Sequence, residues 1–366
     1  MKPVVMTLGD ICTKGSSNLA QKDLDGNSGE YEIYGASGLI KKVNFFHQEK
    51  PYIAVVKDGA GVGRTMLLPA KTSVIGTMQY IIPNEDIDIE YLYYAITYMD
   101  LSRYYMGAAI PHIYFKDYCK EKILIPDIDI QKAIAHKFRI IDGLITARQE
   151  QLAKLDELIA SRFIEMFGDP VANSKNWNIS SLLSIGYCKN GMNFHTGDNG
   201  VDIRCLGVAD FKNLSVIDGT ENLPIVSLNE LPSKDSMLKD GDIVFVRSNG
   251  NKALVGRCLL VYPHNIPTTY SGFCIRFRLT SKQVMPEYLL RVLKSDSISK
   301  KMMGRGANIQ NLNQQILASL DIPIPPLDLQ NQFAEFVKQT DKSKVAVQTS
   351  ITKCHYLTKK GVNTHG

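Results

Sequence analysis

The sequence predicts an α+β protein: two tandem mixed α/β domains, separated and linked by two long helices that form an antiparallel coiled coil. Three observations predict it. The chain has 366 residues, more than one ordinary core accommodates. It repeats itself at an offset of 199 residues. A helical apolar stripe follows each copy of the repeat.

The repeat is read by placing 107–142 over 306–341 without a gap. Identical pairs include Gly107/Gly306, Ala108/Ala307, Ile110/Ile309, Ile123/Ile322, Ile125/Ile324, Pro126/Pro325, Asp129/Asp328, Gln131/Gln330, Ala135/Ala334 and Asp142/Asp341. Upstream, Glu90-Tyr91-Leu92 answers Glu287-Tyr288-Leu289, and Gly63-Arg64 answers Gly256-Arg257. Ile53–Lys57 likewise answers Ile243–Arg247. A period this long is a duplicated domain with its tail, not a solenoid. The resulting division is 1–128 for the first domain, 129–169 for a central helix, 170–327 for the second domain, and 328–366 for a distal helix and tail.

Within each copy, β-branched runs at 52–56, 73–82, 243–246 and 273–279 predict short strands between Gly, Asn and Pro turns. Helices are expected over 90–105 and 286–302. The segments ending in Pro126 and Pro325 are extended, because a residue before proline avoids the helical region. Asp129 and Asp328 then stand where an N-cap is expected. From there Ile134, Phe138, Ile141, Ile145, Leu152, Leu155 and Ile159 alternate steps of four and three, broken at Arg148, until Gly168-Asp169-Pro170 stops the helix. The distal segment carries a less regular stripe of Phe333, Phe336, Val337, Val345, Val347, Ile351 and Leu357 and is the expected partner.

Composition narrows the chemistry. No apolar run approaches the roughly 18 residues of a membrane span, so no membrane partner is expected. Cys12, Cys119, Cys188, Cys205, Cys258, Cys274 and Cys354 are scattered without a C-x-x-C pair, which points to reduced thiols in a cytoplasm and to no zinc site. The seven histidines show no ligand spacing, so no metal is expected. Net charge is +5, distributed as −2 over 1–128, −1 over 129–169, +5 over 170–327 and +3 over 328–366. An acidic first domain cannot rely on diffuse attraction to a polyanion.

Catalytic motifs fail on inspection. Lys57–Thr65 follows a strand, but Asp58 stands where a phosphate loop needs its first glycine, and Arg64 replaces the lysine. In Gly59-Ala60-Gly61-Val62-Gly63 the third glycine comes one residue early for a dinucleotide loop. Asp169-Pro170-Val171 lacks the rest of a D-P-P-Y methyltransferase motif. Pro126-Asp127 with Asp129 and Lys132 sits at a helix start, where capping explains it. No catalytic residue is assigned.

The loops instead carry groups suited to duplex DNA. Tyr34, Ser37, Lys41, Lys42, Lys57 and Arg64 in the first copy, with Arg247, Ser248, Asn249, Lys252 and Arg257 in the second, can grip phosphates and read groove edges. The equivalent turns differ in length by three residues, as expected of loops that select different bases. Tyr34–Gly38, the D-G-A-G-V-G-R turn at 58–64, G-A-A-I-P-H at 107–112, and I-L-I-P before a helix ending M-F-G-D at 166–169 together resemble the specificity (S) subunit of type I restriction-modification enzymes. The resemblance covers essentially the whole chain. It implies a non-catalytic subunit whose two target-recognition domains each read half of a bipartite DNA sequence from the major groove. Its helices would set the spacing and dock modification subunits that bind S-adenosylmethionine and methylate adenine. A restriction and translocase subunit using ATP and magnesium would join them, leaving no cofactor on this chain. The alternative is a two-domain interaction adaptor, or a silent or decoy specificity subunit, without sequence-selective DNA binding of its own.

Overall fold

A computed structural model of the chain describes residues 3–107, 111–194, 200–211, 214–303 and 311–363. Of the identical pairs, Ala108 and Ile110 with their partners Ala307 and Ile309, and Gly306, the partner of Gly107, lie outside the described residues. The chain forms two compact units, Met1–Gln151 with Ala346–Gly366, and Leu152–Val345.

In the first unit a four-stranded sheet runs in the order Cys12–Ser16, Met78–Pro83, Tyr52–Val56, Thr65–Leu68, with every pairing antiparallel. Tyr52–Val56 is apolar throughout because alternate side chains enter different cores. Ile53 and Val55 join Ile81, Leu8, Leu92 and Tyr118 on the helical side. Tyr52, Ala54 and Val56 join Val74, Met78 and Tyr80 on the other. There a smaller sheet, Gly38–Val43, Tyr31–Gly35, Ser73–Val74, supplies the cover. The strand expected over 73–82 is therefore two strands. Ser73–Val74 belongs to the small sheet and Met78–Pro83 to the large one, and a turn closed by Met78 N–H to the Ile75 carbonyl (3.0 Å) carries the chain between them.

The second unit repeats this order: Gly186–Asn190, Cys274–Leu279, Asp242–Val246, Cys258–Tyr262, with an added parallel edge strand Val216–Asp218. Its small sheet is Ile225–Leu228, Val201–Leu206, Thr268–Tyr270. Ile243 and Phe245 face one core, and Val244 and Val246 the other.

The expected helices are shorter than their periodicity. Ile89–Tyr98 is capped by Asp88, which accepts the Tyr91 N–H (2.9 Å), and it ends before Asp100, whose φ of 50° is left-handed. The second divides into Pro286–Leu293 and Asp296–Met303. At the break the Ser295 hydroxyl bonds the Val292 carbonyl and accepts the Ile298 N–H, offering the backbone an alternative to continuous helix.

Each long helix follows a strand of a two-stranded pair, Val4–Thr7 with Lys122–Ile125 and Asn178–Ser181 with Asp321–Ile324. The helices are Ile128–Phe167 and Leu327–Asn363. They start one residue earlier than expected, because the Asp127 and Pro326 carbonyls already accept the Gln131 and Gln330 N–H groups. Asp129 and Asp328 thus occupy the first turn, where a carboxylate still favours the positive helix end. Asp127 is the residue whose side chain accepts a first-turn N–H, that of Asp129 (3.2 Å). Gly168, at φ 77°, ends the central helix as expected.

Inward positions on the central helix are Gln131, Ile134, Phe138, Ile141, Ile145, Arg148, Leu152, Leu155 and Ile159. On the distal helix they are Gln330, Phe333, Val337, Thr340, Lys344, Val347, Ile351, Cys354 and Thr358, the same positions displaced by the repeat. This corrects the apolar stripe read from sequence. Val345 is 66% exposed and Leu357 46%, because neither falls on the three-four step. In the second unit the helices run antiparallel: Asp156 meets Lys344 (2.7 Å), Arg162 lies over Phe336, and Phe163 and Phe167 meet Phe333. Phe333 and Val337 share a core with Ile159. Ile134 and Phe138 belong to the first domain's own core, where Phe138 packs on Tyr94 and Tyr98 (5.1 and 5.7 Å between rings). Tyr98 also hydrogen-bonds Thr358 of the distal helix. The compact units accordingly divide within both helices rather than at their ends, since each unit takes a segment of each helix. Among the described residues, no helix is long and apolar enough to cross a membrane.

Candidate nucleic-acid interface

The central strand of each domain ends at the same crossing of backbone. In the first domain the N–H groups of Lys57 and Asp58 donate to the Thr77 carbonyl (3.0 and 3.3 Å), and Ile113 N–H donates to the Lys57 carbonyl (2.9 Å). In the second, Arg247 and Ser248 donate to the Phe273 carbonyl (2.8 and 3.3 Å), and Leu312 N–H donates to the Arg247 carbonyl (2.8 Å). Bridges between Asp58 and His112 and between Ser248 and Asn311 complete the match. Lys57, Asp58, Thr77 and His112 therefore correspond to Arg247, Ser248, Phe273 and Asn311. The Asp58 carboxylate also contacts His112 Nδ1, and the His112 ring lies 4.1 Å from that of Tyr114.

From each crossing the chain turns and returns in a hairpin. Val56 N–H bonds the Arg64 carbonyl and Gly63 N–H the Val56 carbonyl; Val246 and Gly256 repeat this with Arg257 and Val246. Gly63 (φ 85°) and Gly256 (φ 83°) sit in left-handed backbone. A Cβ on Gly63 would also fall 2.8 Å from the Ser102 nitrogen, so this close turn requires glycine. The three extra residues of the second turn fold locally. Asn249 accepts the Asn251 N–H (2.8 Å), and Asn251 caps the short helical turn Lys252–Leu254. Asn249 thus shapes the loop, while Lys252 and Arg257 are exposed on it.

Ser37 and Arg64 line one cleft of about 520 Å³, with Thr97 and Asp100–Ser102 on its other wall. Around Gly256-Arg257 the second domain has a cleft of about 330 Å³ against Leu293, Lys294 and Ser299. Tyr34, Lys41 and Lys42 do not line the first cleft; their side chains have partners in the small sheet and its flank. The Tyr34 hydroxyl donates to Glu32 (2.5 Å), which also holds Lys42 (3.1 Å). The Tyr34 bond and then Lys42 keep the Glu32 carboxyl below its ordinary range. Lys41 Nζ donates to the Leu24 carbonyl (2.7 Å). Arg247 is half-buried, with Nη1 directed at the Gly272 carbonyl (3.4 Å).

The tertiary fold thus brings Ser37 to Arg64, and Arg247 and Ser248 to Phe273, pairings that sequence reasoning missed. The missed Phe273 had one available signal, its equivalence to Thr77 once the repeat is carried through the intervening turns. Nucleophilic thiol chemistry has no support in the site. All seven cysteines are free, and burial pushes Cys12, Cys188, Cys205 and Cys274 up to about 12 and Cys258 to about 11, which keeps these thiols protonated.

The family model for the type I restriction modification DNA specificity domain matches the chain twice, at residues 2–157 and 175–353. The StySPI specificity subunit of a type I restriction enzyme from Salmonella potsdam is 27% identical over 69% of this chain and 58% of that protein. The MjaVIII specificity subunit from Methanocaldococcus jannaschii is 24% identical over 79% of this chain and 72% of its own length. The chain therefore spans less than two thirds of the Salmonella relative. In fold it is similar to the S subunit of the type I restriction-modification system from M. genitalium, with a TM-score of 0.54 at 14% identity, covering 99% of this chain and 95% of that one. A chain from a structure describing complex assembly and conformational transition of the type I system gives 0.58 at 15% identity, covering 100% and 97%.

Proposed function

The chain belongs to the type I restriction-modification DNA specificity family, and we propose that it reads a bipartite sequence in duplex DNA, one half per domain, without catalysing a reaction itself. The observation that carries this reading is the double family match over two domains whose central strands end in equivalent loops. Those loops present Lys57 and Arg64 in one domain and Arg247, Ser248, Lys252 and Arg257 in the other. Arginine and lysine suit guanine edges and phosphates, and hydroxyl groups serve either. A net charge of +5 over 170–327 favours the phosphate backbone there; the acidic first domain relies on placed contacts instead. Methylation and cleavage would fall to partner subunits: a methyltransferase holding S-adenosylmethionine and a translocating nuclease using ATP and magnesium.

The test is methylome sequencing of a host with and without this chain, followed by exchange of residues 170–327 for the same domain of a relative. A bipartite methylated motif should depend on the chain, and the exchange should rewrite one half of it. No motif, or a change in both halves, overturns the reading.

A further inference from the structure

The turn Ser271-Gly272-Phe273 holds a large aromatic side chain in solvent on a backbone fixed from several sides. Phe273 is 60% exposed, although the next residue, Cys274, is fully buried in the sheet. Gly272 N–H donates to the Met192 carbonyl (2.6 Å), and a Cβ on Gly272 would fall 2.0 Å from Asn193 Oδ1. Phe273 N–H bonds the Ser271 hydroxyl, and its carbonyl accepts the N–H groups of both Arg247 and Ser248. The backbone is structural, but the ring contributes little to the core.

The internal repeat isolates what the ring is for. Thr77 makes the same backbone contacts in the first domain and is also exposed. The duplication has kept the crossing and changed the side chain, as expected where the fold constrains the backbone and a ligand constrains the rest. We infer that Phe273 is a specificity-determining residue of the second domain, its ring set against the apolar surface of a base in the half-site read there. Exposing a phenyl ring to water is unfavourable, and covering it with a thymine methyl or an opened base face reverses that. Phenylalanine has no hydrogen-bonding group, so Arg247 and Ser248 beside it would supply the polar contacts. The inference rests on the proposed function and extends it to one residue and one class of contact.

The test is Phe273→Thr, which installs the residue found in the first copy, with Phe273→Leu as a second variant that keeps apolar bulk without the ring. Binding by the chain assembled with its methyltransferase partners is measured on duplexes substituted one base pair at a time. Unmodified protein should discriminate about tenfold at one or two adjacent positions of the second half-site. Phe273→Thr should abolish that discrimination while leaving the first half-site and the melting temperature unchanged. Deoxyuridine in place of thymine identifies a methyl contact if it reproduces the loss, and Phe273→Leu should then retain binding. A rise in 2-aminopurine fluorescence that both variants abolish identifies an opened base face. Retained discrimination at every position, or an equal loss across both half-sites, overturns the inference. Absence of sequence preference in the unmodified complex would instead refute the proposed function, and the role of Phe273 with it.

Discussion

Gln131 and Gln330 are buried amides at the starts of the two long helices, and they make the same set of bonds. Gln330 Oε1 accepts the Met285 N–H (2.8 Å), and its Nε2 donates to the carbonyls of Gln283 and Pro325. Gln131 does this with Asp88, Asp86 and Pro126. Each glutamine, itself buried, ties its helix to the loop before the shorter helix of the same domain. Removing Gln330 leaves the buried Pro325 carbonyl without this partner, and an unsatisfied buried group costs about 1–3 kcal/mol. Gln330→Ala should therefore lower unfolding free energy by about 3 kcal/mol in urea titration, while the exposed neighbour Gln332→Ala changes it by no more than about 0.5 kcal/mol. Equal effects at the two positions would show that the amide network is dispensable.

The distal helix keeps a strict three-four step with side chains that a hydrophobicity reading discards. Thr340 and Lys344 occupy the inward positions between Val337 and Val347, Thr358 lies beyond Ile351, and the hydroxyls of Thr340 and Thr358 satisfy themselves on helix carbonyls one turn back. Lys344 is half-buried and reaches Asp156 on the central helix and Asp341 on its own. Adhesion in the second unit concentrates where Phe333, fully buried, meets Phe163 and Phe167, which in turn pack on Tyr288. Phe333→Ala should cost about 3–5 kcal/mol by cavity formation. Val345→Ala, which alters a side chain outside the seam, should cost less than about 0.5 kcal/mol. Thermal melts of the two variants decide between this register and the apolar one: comparable destabilisation would restore Val345 to the interface.

Each compact unit holds a segment of each long helix, so the chain passes from one unit to the other within helix and not through a loop. A 40-residue helix is about 60 Å long, and its length changes by about 1.5 Å per residue. Under the proposed function the unread base pairs between half-sites follow from that length. Inserting four residues beside Arg148 adds about 6 Å to the central helix, and a base pair occupies roughly 3.4 Å along each strand. The spacer should lengthen by one or two base pairs with both half-sites preserved, as read by methylome sequencing of the insertion strain. Methylation with an unchanged spacer would assign the spacing to something other than these helices.

The sequence by itself determined the duplication, the two domains, the buried central strands and the stop of the central helix. These rest on self-similarity, on period, and on local stops such as Gly168, none of which needs a partner to be recognised. Tertiary structure decided what depends on neighbours. It divided 73–82 between two sheets, because the chain changes layers at a turn that β-branched residues conceal. It set the distal register, because burial follows position on the helix and not the polarity of Thr340 or Lys344. It gave Lys41 and Lys42 partners within their own domain, where sequence assigned them to a ligand, since charge alone does not say what a side chain touches. It also exposed Phe273, whose isolation from the core is a property of the turn that carries it: the same residue type one strand position further in would have been read, and packed, as core.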